Sequence, residues 1–397
     1  MSLLLSPELT ELRGRVRAFM DEHVLAAEPA IVAEDARGER ATLAALRARA
    51  RAAGLWTPHL PAAWGGLGLG VMGMCALFRE MGRTPVGPSV FNCDAPDQGN
   101  MDLLLLAGDD AQQERYLRPL VSAEVTSAFC MTEPAPGAGA DPSNLRTAAT
   151  PEGAGWRLSG HKWYATGAVD ASFLIVVART SEDRRQGATL FLVEREQEGV
   201  ELVREIPTFA EPLLAHREAE LRFHDVRLGP EAVLGGVGQG FALAQQRLIP
   251  ARLTHCMRWL GLADRALELC RDYVSRRESF GKTLAKHERV QDLIYRSAAK
   301  IHAGNLMTLH CASLLEQGDA GAAKPYASLA KEQVANALCD VLDDAIQMHG
   351  GLGYSDDLPF ARWYRYARAA RIADGPDEVH RWVVARAFLE GELDLLV

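Results

Sequence analysis

The chain has no CxxC pair, no HExxH, no glycine-rich loop ending in GK[ST] and no apolar run long enough to span a membrane. Each absence removes a class of protein. The seven cysteines are an odd number, widely spaced in apolar segments, which argues against a disulfide framework and predicts reduced, buried thiols. The eleven histidines form no cluster with cysteine at zinc spacing, so no structural metal is expected. An excess of positive charge is missing too. With 43 Lys and Arg against 52 Asp and Glu, the net charge of -9 excludes a general nucleic-acid or anionic-membrane binder and leaves only local basic pockets. The opening MSLLLSPELTELRGRVRAF becomes charged at a helical period where a signal peptide would stay apolar, so the expected location is cytoplasmic.

What is present is a three-part pattern. At 397 residues the chain is too long for one ordinary core, and 48% hydrophobic with 24% charged residues is the composition of a chain that folds throughout. Residues 1–128 repeat apolar positions three and four apart, as in LTELRGRVRAFMDEHV, and read as an N-terminal helical domain. From 129 to 238 the period shortens to two, or to short apolar runs such as SFLIVVART and ATLFLVERE, which predicts a central antiparallel β sandwich or barrel. From 239 to 397 the helical period returns over long stretches joined by short connections, the pattern of a long four-helix bundle. The class is multidomain α+β. No GxGxxG joins a strand to a helix, so a Rossmann dinucleotide site is disfavoured, and WGGLGLG at 64–70, with no strand before it, reads as a turn.

Five stretches carry possible chemistry, each beside a plainer reading. FCMTEPAPGAGADPSN (129–144) leaves a strand for a loop of small residues, which either lets backbone N–H groups approach an anionic or planar ligand or is a surface loop. GHKWYATGA (160–168) offers an aromatic wall and a hydroxyl, although alternation lets only Trp163 or Tyr164 line a given pocket. RRESFGKTLAKHERVQ (276–291) breaks two helices with cations; Arg277 suits a pyrophosphate or a solvated helix end. QMHGGLGYSDD (347–357) ends a helix in Gly350 and Gly351, a cap that also admits a ligand against the backbone. In AARIADGPDEVHRW (369–382), Pro376, Asp377 and Glu378 form a helix first turn, and Asp374 just before it is either a turn residue or a general base whose pKa is raised by an apolar pocket.

The order of these parts and several motifs together resemble the acyl-CoA dehydrogenase family of flavoproteins. GLWTPHLPAAWGGLGLG (54–70), AQQERYLRPL (111–120), TEP (132–134), RESFGK (277–282) and QMHGGLGY (347–354) match its motifs in sequence order, and the likeness spans essentially the whole chain. ADGPDEVH, APDQGNMDLL and RLTHCMR are most similar to the subgroup that in animals is fused to an aminoglycoside-phosphotransferase-like kinase domain.

The resemblance implies an FAD-dependent α,β-dehydrogenation of an acyl-CoA thioester, in which Asp374 stands at the catalytic glutamate's position, removes the α proton, and the β hydride passes to flavin N5. A minority of the family places that glutamate on the bundle helix, where this chain has Ala251. Carried over by motif, Phe129, Met131 and Thr132 lie along the flavin's pyrimidine side, Tyr164 replaces the usual tryptophan against its ring, and Thr166 stands near N5. Arg277, Phe280 and His287 resemble residues reaching a neighbouring subunit's FAD, with Gln347, Gly350 and Gly351 near its other half, and Pro376 and Glu378 also fall on cofactor-side positions. Arg252 and His255 face the substrate's part of the bundle; Arg258 is a weaker candidate. The implied partners are an acyl-CoA, an electron-transferring flavoprotein as acceptor, and further copies of the chain in a dimer of dimers.

Three departures qualify the likeness. Aspartate is one methylene shorter than glutamate, about 1.5 Å of reach, which puts ordinary straight-chain activity in question. The loop after TEP is one residue longer and lacks a serine before its aspartate, and Pro376 replaces a threonine hydroxyl. Two other readings stay open: a flavin oxidase or monooxygenase on the same scaffold, and a flavin-free binding or scaffold protein.

Overall fold

A computed structural model describes residues 5–183 and 187–395. The N-terminal helices are α1 (Pro7–Phe19), α2 (Glu28–Asp35), α3 (Ala41–Ala52), α4 (Val71–Met81), α5 (Gly87–Val90), α6 (Asp97–Ala107), α7 (Asp110–Gln112) and α8 (Arg118–Val121). Ser6 caps α1 by accepting from the Leu9 amide, with Pro7 at the first helical position, and Asp109 with Gln112 forms a capping box on α7.

The central strands are β1 (Ser127–Cys130), β2 (Ala148–Glu152), β3 (Gly155–Thr166), β4 (Phe173–Arg179), β5 (Ala188–Glu194), β6 (Val200–Glu205), β7 (Glu218–Leu228) and β8 (Val233–Leu234). They form one sheet ordered β6-β7-β3-β2-β4-β5-β8, with β1 beside β4. The antiparallel expectation needs one correction: β1 runs parallel to β4, and β2 touches β4 in parallel at Ala148 and Arg179. β4 is therefore central and apolar throughout, Phe173 to Ala178 being buried, as a strand covered on both faces requires. β3 pairs with β7 with register shifts between Leu158 and Gly160 and between Lys162 and Ala165. The second shift re-aims the segment containing Tyr164, whose φ is 48°.

The C-terminal part holds α9 (Gly240–Val274), α10 (Glu288–Glu316), α11 (Ala320–His349), α12 (Gly351–Tyr354), α13 (Phe360–Arg368) and α14 (Asp377–Leu389). Three of these are long; the remaining bundle positions are taken by the shorter α13 and α14, both packed on α11. Pro250 lies inside α9, and all seven cysteines are free and buried. Two apolar clusters organise the bundle: one joins its α9–α11 face to α4, and the other lies under α13 around Trp363 and Phe360. No described helix is long and apolar enough to cross a membrane.

Candidate active site

The turn between the 3-10 segment Ala369–Arg371 and α14 is held in an unusual shape. Asp374 has φ 53° and Gly375 φ 106°, both in the left-handed region, which aspartate tolerates and glycine favours. A side chain at Gly375 would also meet His380 Nε2 at 2.9 Å. Three buried or half-buried donors fix the two carbonyls: Arg252 Nε donates to Asp374 O at 3.2 Å, His380 Nε2 to the same oxygen at 3.2 Å, and Lys331 Nζ to Gly375 O at 2.7 Å. The acids after Pro376 divide. Asp377 is buried and accepts from Arg371 at 2.8 Å and Asn336 at 3.0 Å, whereas Glu378 is exposed. Asp374 is thus a turn residue, as the plainer reading allowed, and its carboxylate is half-buried.

The carboxylate faces α9. Its Oδ2 lies 3.0 Å from His255 Nε2, and the His255 ring stacks on Trp259 at 5.2 Å. Arg258 Nη2 lies 3.2 Å from His255 Nδ1. A guanidinium only donates, so Nδ1 accepts and Nε2 carries the ring proton, 3.0 Å from the Asp374 carboxylate. Arg258 Nη1 continues to Cys93 O at 3.0 Å and Asp94 Oδ1 at 3.4 Å, and Asp94 Oδ2 meets His216 Nε2 at 3.2 Å and the Ser89 hydroxyl at 2.7 Å.

The pKa of Asp374 is the reverse of what an apolar pocket predicted. Burial alone would raise it, but the His255 N–H directed at it and the nearby Arg247 and Arg252 cations outweigh burial and hold it well below the usual carboxylate range. Burial and the Arg258 cation keep the His255 imidazole below its ordinary value, against the pull of Asp374. At neutral pH the pair is a carboxylate beside a neutral imidazole.

The β domain supplies an adjacent wall. Arg247 on α9 donates to Asn100 Oδ1 at 2.9 Å and sits 4.4 Å over the Phe129 ring. Met131 O accepts from Lys162 Nζ at 2.9 Å, and Thr132 O accepts from the Trp163 amide at 3.1 Å. Glu133 is locked beneath this loop by Lys162 at 2.8 Å. Tyr164 is 49% exposed with its ring edge-on to Trp163, and the Thr166 hydroxyl donates to Glu218 at 2.9 Å.

The remaining predicted residues gather at the opposite end of the bundle. Arg277 and Phe280, the latter 95% exposed, border a hairpin of Glu278–Ser279 and Lys282–Thr283, and His287 Nε2 donates to Ser279 O at 3.1 Å. The Tyr273 ring stacks on His349 at 4.3 Å, which brings Gln347, Gly350 and Gly351 to this same end, with open space where side chains on the two glycines would project. His255 and Arg277 are 22 positions apart along and just past one helix, roughly 30 Å. The two groups of residues are therefore well separated along the chain's bundle.

Arg247, Lys331, His380, Asp94 and His216 escaped the sequence reading. For Arg247 a signal existed: it stands on the same helix as Arg252, His255 and Arg258, within a largely apolar stretch. The others contact the site from distant segments and left none.

Comparison with known proteins agrees along the chain. Models described as the N-terminal, middle and C-terminal domains of acyl-CoA dehydrogenase match residues 6–124, 128–226 and 238–389. FadE2 of Mycobacterium tuberculosis is 38% identical over 99% of this chain and 98% of its own length. Acyl-CoA dehydrogenase family member 11 of Rattus norvegicus is 35% identical over 96% of this chain, which spans about half (50%) of that relative's length. Among solved structures, one from Mycobacterium abscessus is 37% identical with a TM-score of 0.92, covering 98% of this chain and all (100%) of its own. Butyryl-CoA dehydrogenase of Megasphaera elsdenii is 25% identical with a TM-score of 0.85, covering 98% of this chain and 100% of its own. The chain belongs to the acyl-CoA dehydrogenase family.

Proposed function

We infer that the protein is an FAD-dependent acyl-CoA dehydrogenase in which Asp374 removes the α proton of the thioester. One observation carries the reading: a half-buried carboxylate, held ionised by its neighbours, sits on a left-handed turn clamped through its own backbone, with one oxygen facing His255 and the other, Oδ1, without a hydrogen bond among the described residues. Such an arrangement offers a proton acceptor whose aim is fixed before substrate arrives.

The residues present suit a flat cofactor. The half-exposed Tyr164, the Met131–Thr132 strand end and Thr166 offer an aromatic surface beside polar groups, and Arg277 with the uncrowded Gly350 and Gly351 offers a cation beside open backbone. Phe129, His287, Gln347, Pro376 and Glu378 complete the proposed contacts. Because these two groups of residues lie at opposite ends of α9, a complete cofactor site calls for a second copy of the chain, and we propose the dimer of dimers. When bound, FAD supplies the acceptor, N5, for the β hydride. The chain's own part is to hold the α carbon against Asp374, to keep that carboxylate ionised, and to exclude water with the apolar wall of α9. Arg252, as well as clamping the turn, and His255 border the acyl position. Electrons would leave to an electron-transferring flavoprotein.

The test is anaerobic mixing of the purified yellow protein with straight, branched and 4-hydroxy acyl-CoAs while the visible flavin absorption is followed. Bleaching by one class establishes dehydrogenation and names the substrate group; a yellow protein bleached by none rejects these substrates, and a colourless one that takes up no FAD rejects the reading. Asp374→Glu adds a methylene beside His255 and Trp259. It is expected to retain turnover while shifting preference among the acyl-CoAs by about tenfold, since a small misplacement of the base is costly; an unchanged preference profile would show that reach is not what Asp374 sets.

A further inference from the structure

The only side chain that touches the Asp374 carboxylate within hydrogen-bond distance, among the described residues, is His255. Arg252 and His380 reach its backbone carbonyl instead, and Lys331 the next one. The imidazole has no freedom of its own. Its ring is stacked on Trp259 with an interplanar angle of 20°, its Nδ1 accepts from Arg258, and Arg258 is anchored on Cys93 O and on Asp94, which is itself held by Ser89 and His216. We propose that His255 is a positioning residue: a neutral imidazole, locked by Arg258 as an Nε2–H donor, that aims the Asp374 carboxylate and leaves its other oxygen to take the α proton. The proposal rests on the reading of Asp374 as the base.

The geometry excludes two rival roles for His255. It cannot be the proton acceptor itself, because Nε2 already bears a proton and Nδ1 is occupied by a donor that cannot deprotonate. Nor is it a counter-ion in the resting state, because Arg258 beside Nδ1 disfavours a second proton on the ring. The abstracted proton therefore ends on Asp374, and the His255 hydrogen bond steadies the carboxylate before transfer. In place of a longer glutamate, the shorter aspartate is directed by a fixed partner.

This carries a consequence for pH. The charged or titratable groups facing the pair are Arg247, Arg252 and Arg258 from α9, Lys331 from α11, His380 from α14, and His216 with Asp94 from the two preceding segments. All but Asp94 favour an ionised Asp374 or a neutral His255. Removing the His255 donor takes away the strongest of the influences opposing burial, so the base's protonation should move up in pH.

Two measurements on the FAD-loaded protein decide it. In the first, kcat/KM for flavin reduction by a productive acyl-CoA is followed against pH. The wild type should be flat from about pH 5 to 8, whereas His255→Phe, which keeps a ring against Trp259, should lose about tenfold at pH 5 relative to pH 8. His255→Gln, which restores an N–H donor at similar reach, should recover most of that acid-side activity. A Phe variant with the wild-type profile, or Phe and Gln variants with the same shifted profile, would overturn the donor role. The second needs no turnover: 15N-histidine spectra, with the His255 signals assigned by their loss in His255→Gln, should show a neutral Nε2–H tautomer at pH 7. An Nδ1–H tautomer or an imidazolium there would overturn the proposal even if no acyl-CoA tested were a substrate, and failure of Asp374 as the base would instead appear as undiminished bleaching by Asp374→Asn.

Discussion

Asp374→Asn is expected to remain yellow and to lose substrate-driven flavin reduction by about 10²–10⁴-fold, the contribution of a positioned general base. The substitution isolates the proton acceptor from everything else the residue does. Asparagine also tolerates the left-handed φ of 53°, so the turn survives. The backbone carbonyl still receives Arg252 and His380, and the side-chain amide oxygen can still accept from His255. What the amide cannot do is take a proton near neutral pH. Because the wild-type carboxylate is held below its ordinary range, it is ionised throughout the neutral region, and its titration contributes no slope there; the residual rate of the variant should likewise be flat. Losing one anion beside Arg247 and Arg252 will weaken the fold somewhat, so flavin content and a urea transition should be read alongside. Stopped-flow reduction at near wild-type rate would remove Asp374 from the chemistry altogether.

How this site could be read from the chain alone differs residue by residue. Asp374 was visible because an aspartate before a Gly-Pro-Asp-Glu helix start is a recognisable local pattern, whereas His255 stood out only through the family resemblance. The short apolar runs SFLIVVART and ATLFLVERE correspond to β4 and β5, where burial on both faces wrote itself into the apolar content. The parallel pairing of β1 with β4 had no such signal, since a four-residue strand carries no register information. The electrostatic sign at Asp374 was illegible for a different reason. Local composition around residue 374 is apolar, and the partners that reverse the shift arrive from far away, Arg252 being 122 positions distant in sequence. Asp94 and His216 are 122 apart likewise, and meet only because the turn after α5 and the turn before β7 come together at the bundle. Long-range polar contacts are chosen by the fold, and a period-based reading resolves only the apolar surfaces that fold it.

Lys162→Met should give the largest loss of stability of any single change on the β side. Lys162 is 0% exposed, and its ammonium donates to Glu133 Oε1 at 2.8 Å and to Met131 O at 2.9 Å. Glu133 is buried too, and it also accepts the amides of Ala138 at 3.1 Å, Arg146 at 2.8 Å and Thr147 at 2.9 Å. This one carboxylate therefore ties both ends of the 133–147 loop to β3. Methionine fills nearly the same volume but leaves the carboxylate buried without its cation, and breaking a buried pair from one side costs about 3–5 kcal/mol. Glu133→Gln alone should also be costly, because it strands the ammonium. The double variant should lose much less than the sum of the two, since neither charge is then left uncompensated. A double variant as unstable as that sum would show that the pair is not coupled. The pH dependence follows from the folded carboxyl being drawn down to about 2: burial opposes ionisation, but Lys162 and the Thr147 and Arg146 contacts prevail. Its stabilisation is fully present above the unfolded carboxyl value of about 4.3 and is lost as pH falls from there through about 2. Lys162→Met should therefore narrow its stability gap to the wild type as the acid limb is descended, in urea transitions recorded from neutral pH downward. Because Met131 and Thr132 lie at the mouth of the same loop, the variant is also expected to release flavin at a urea concentration below that of its global unfolding; coincident transitions would separate the loop's anchorage from cofactor retention.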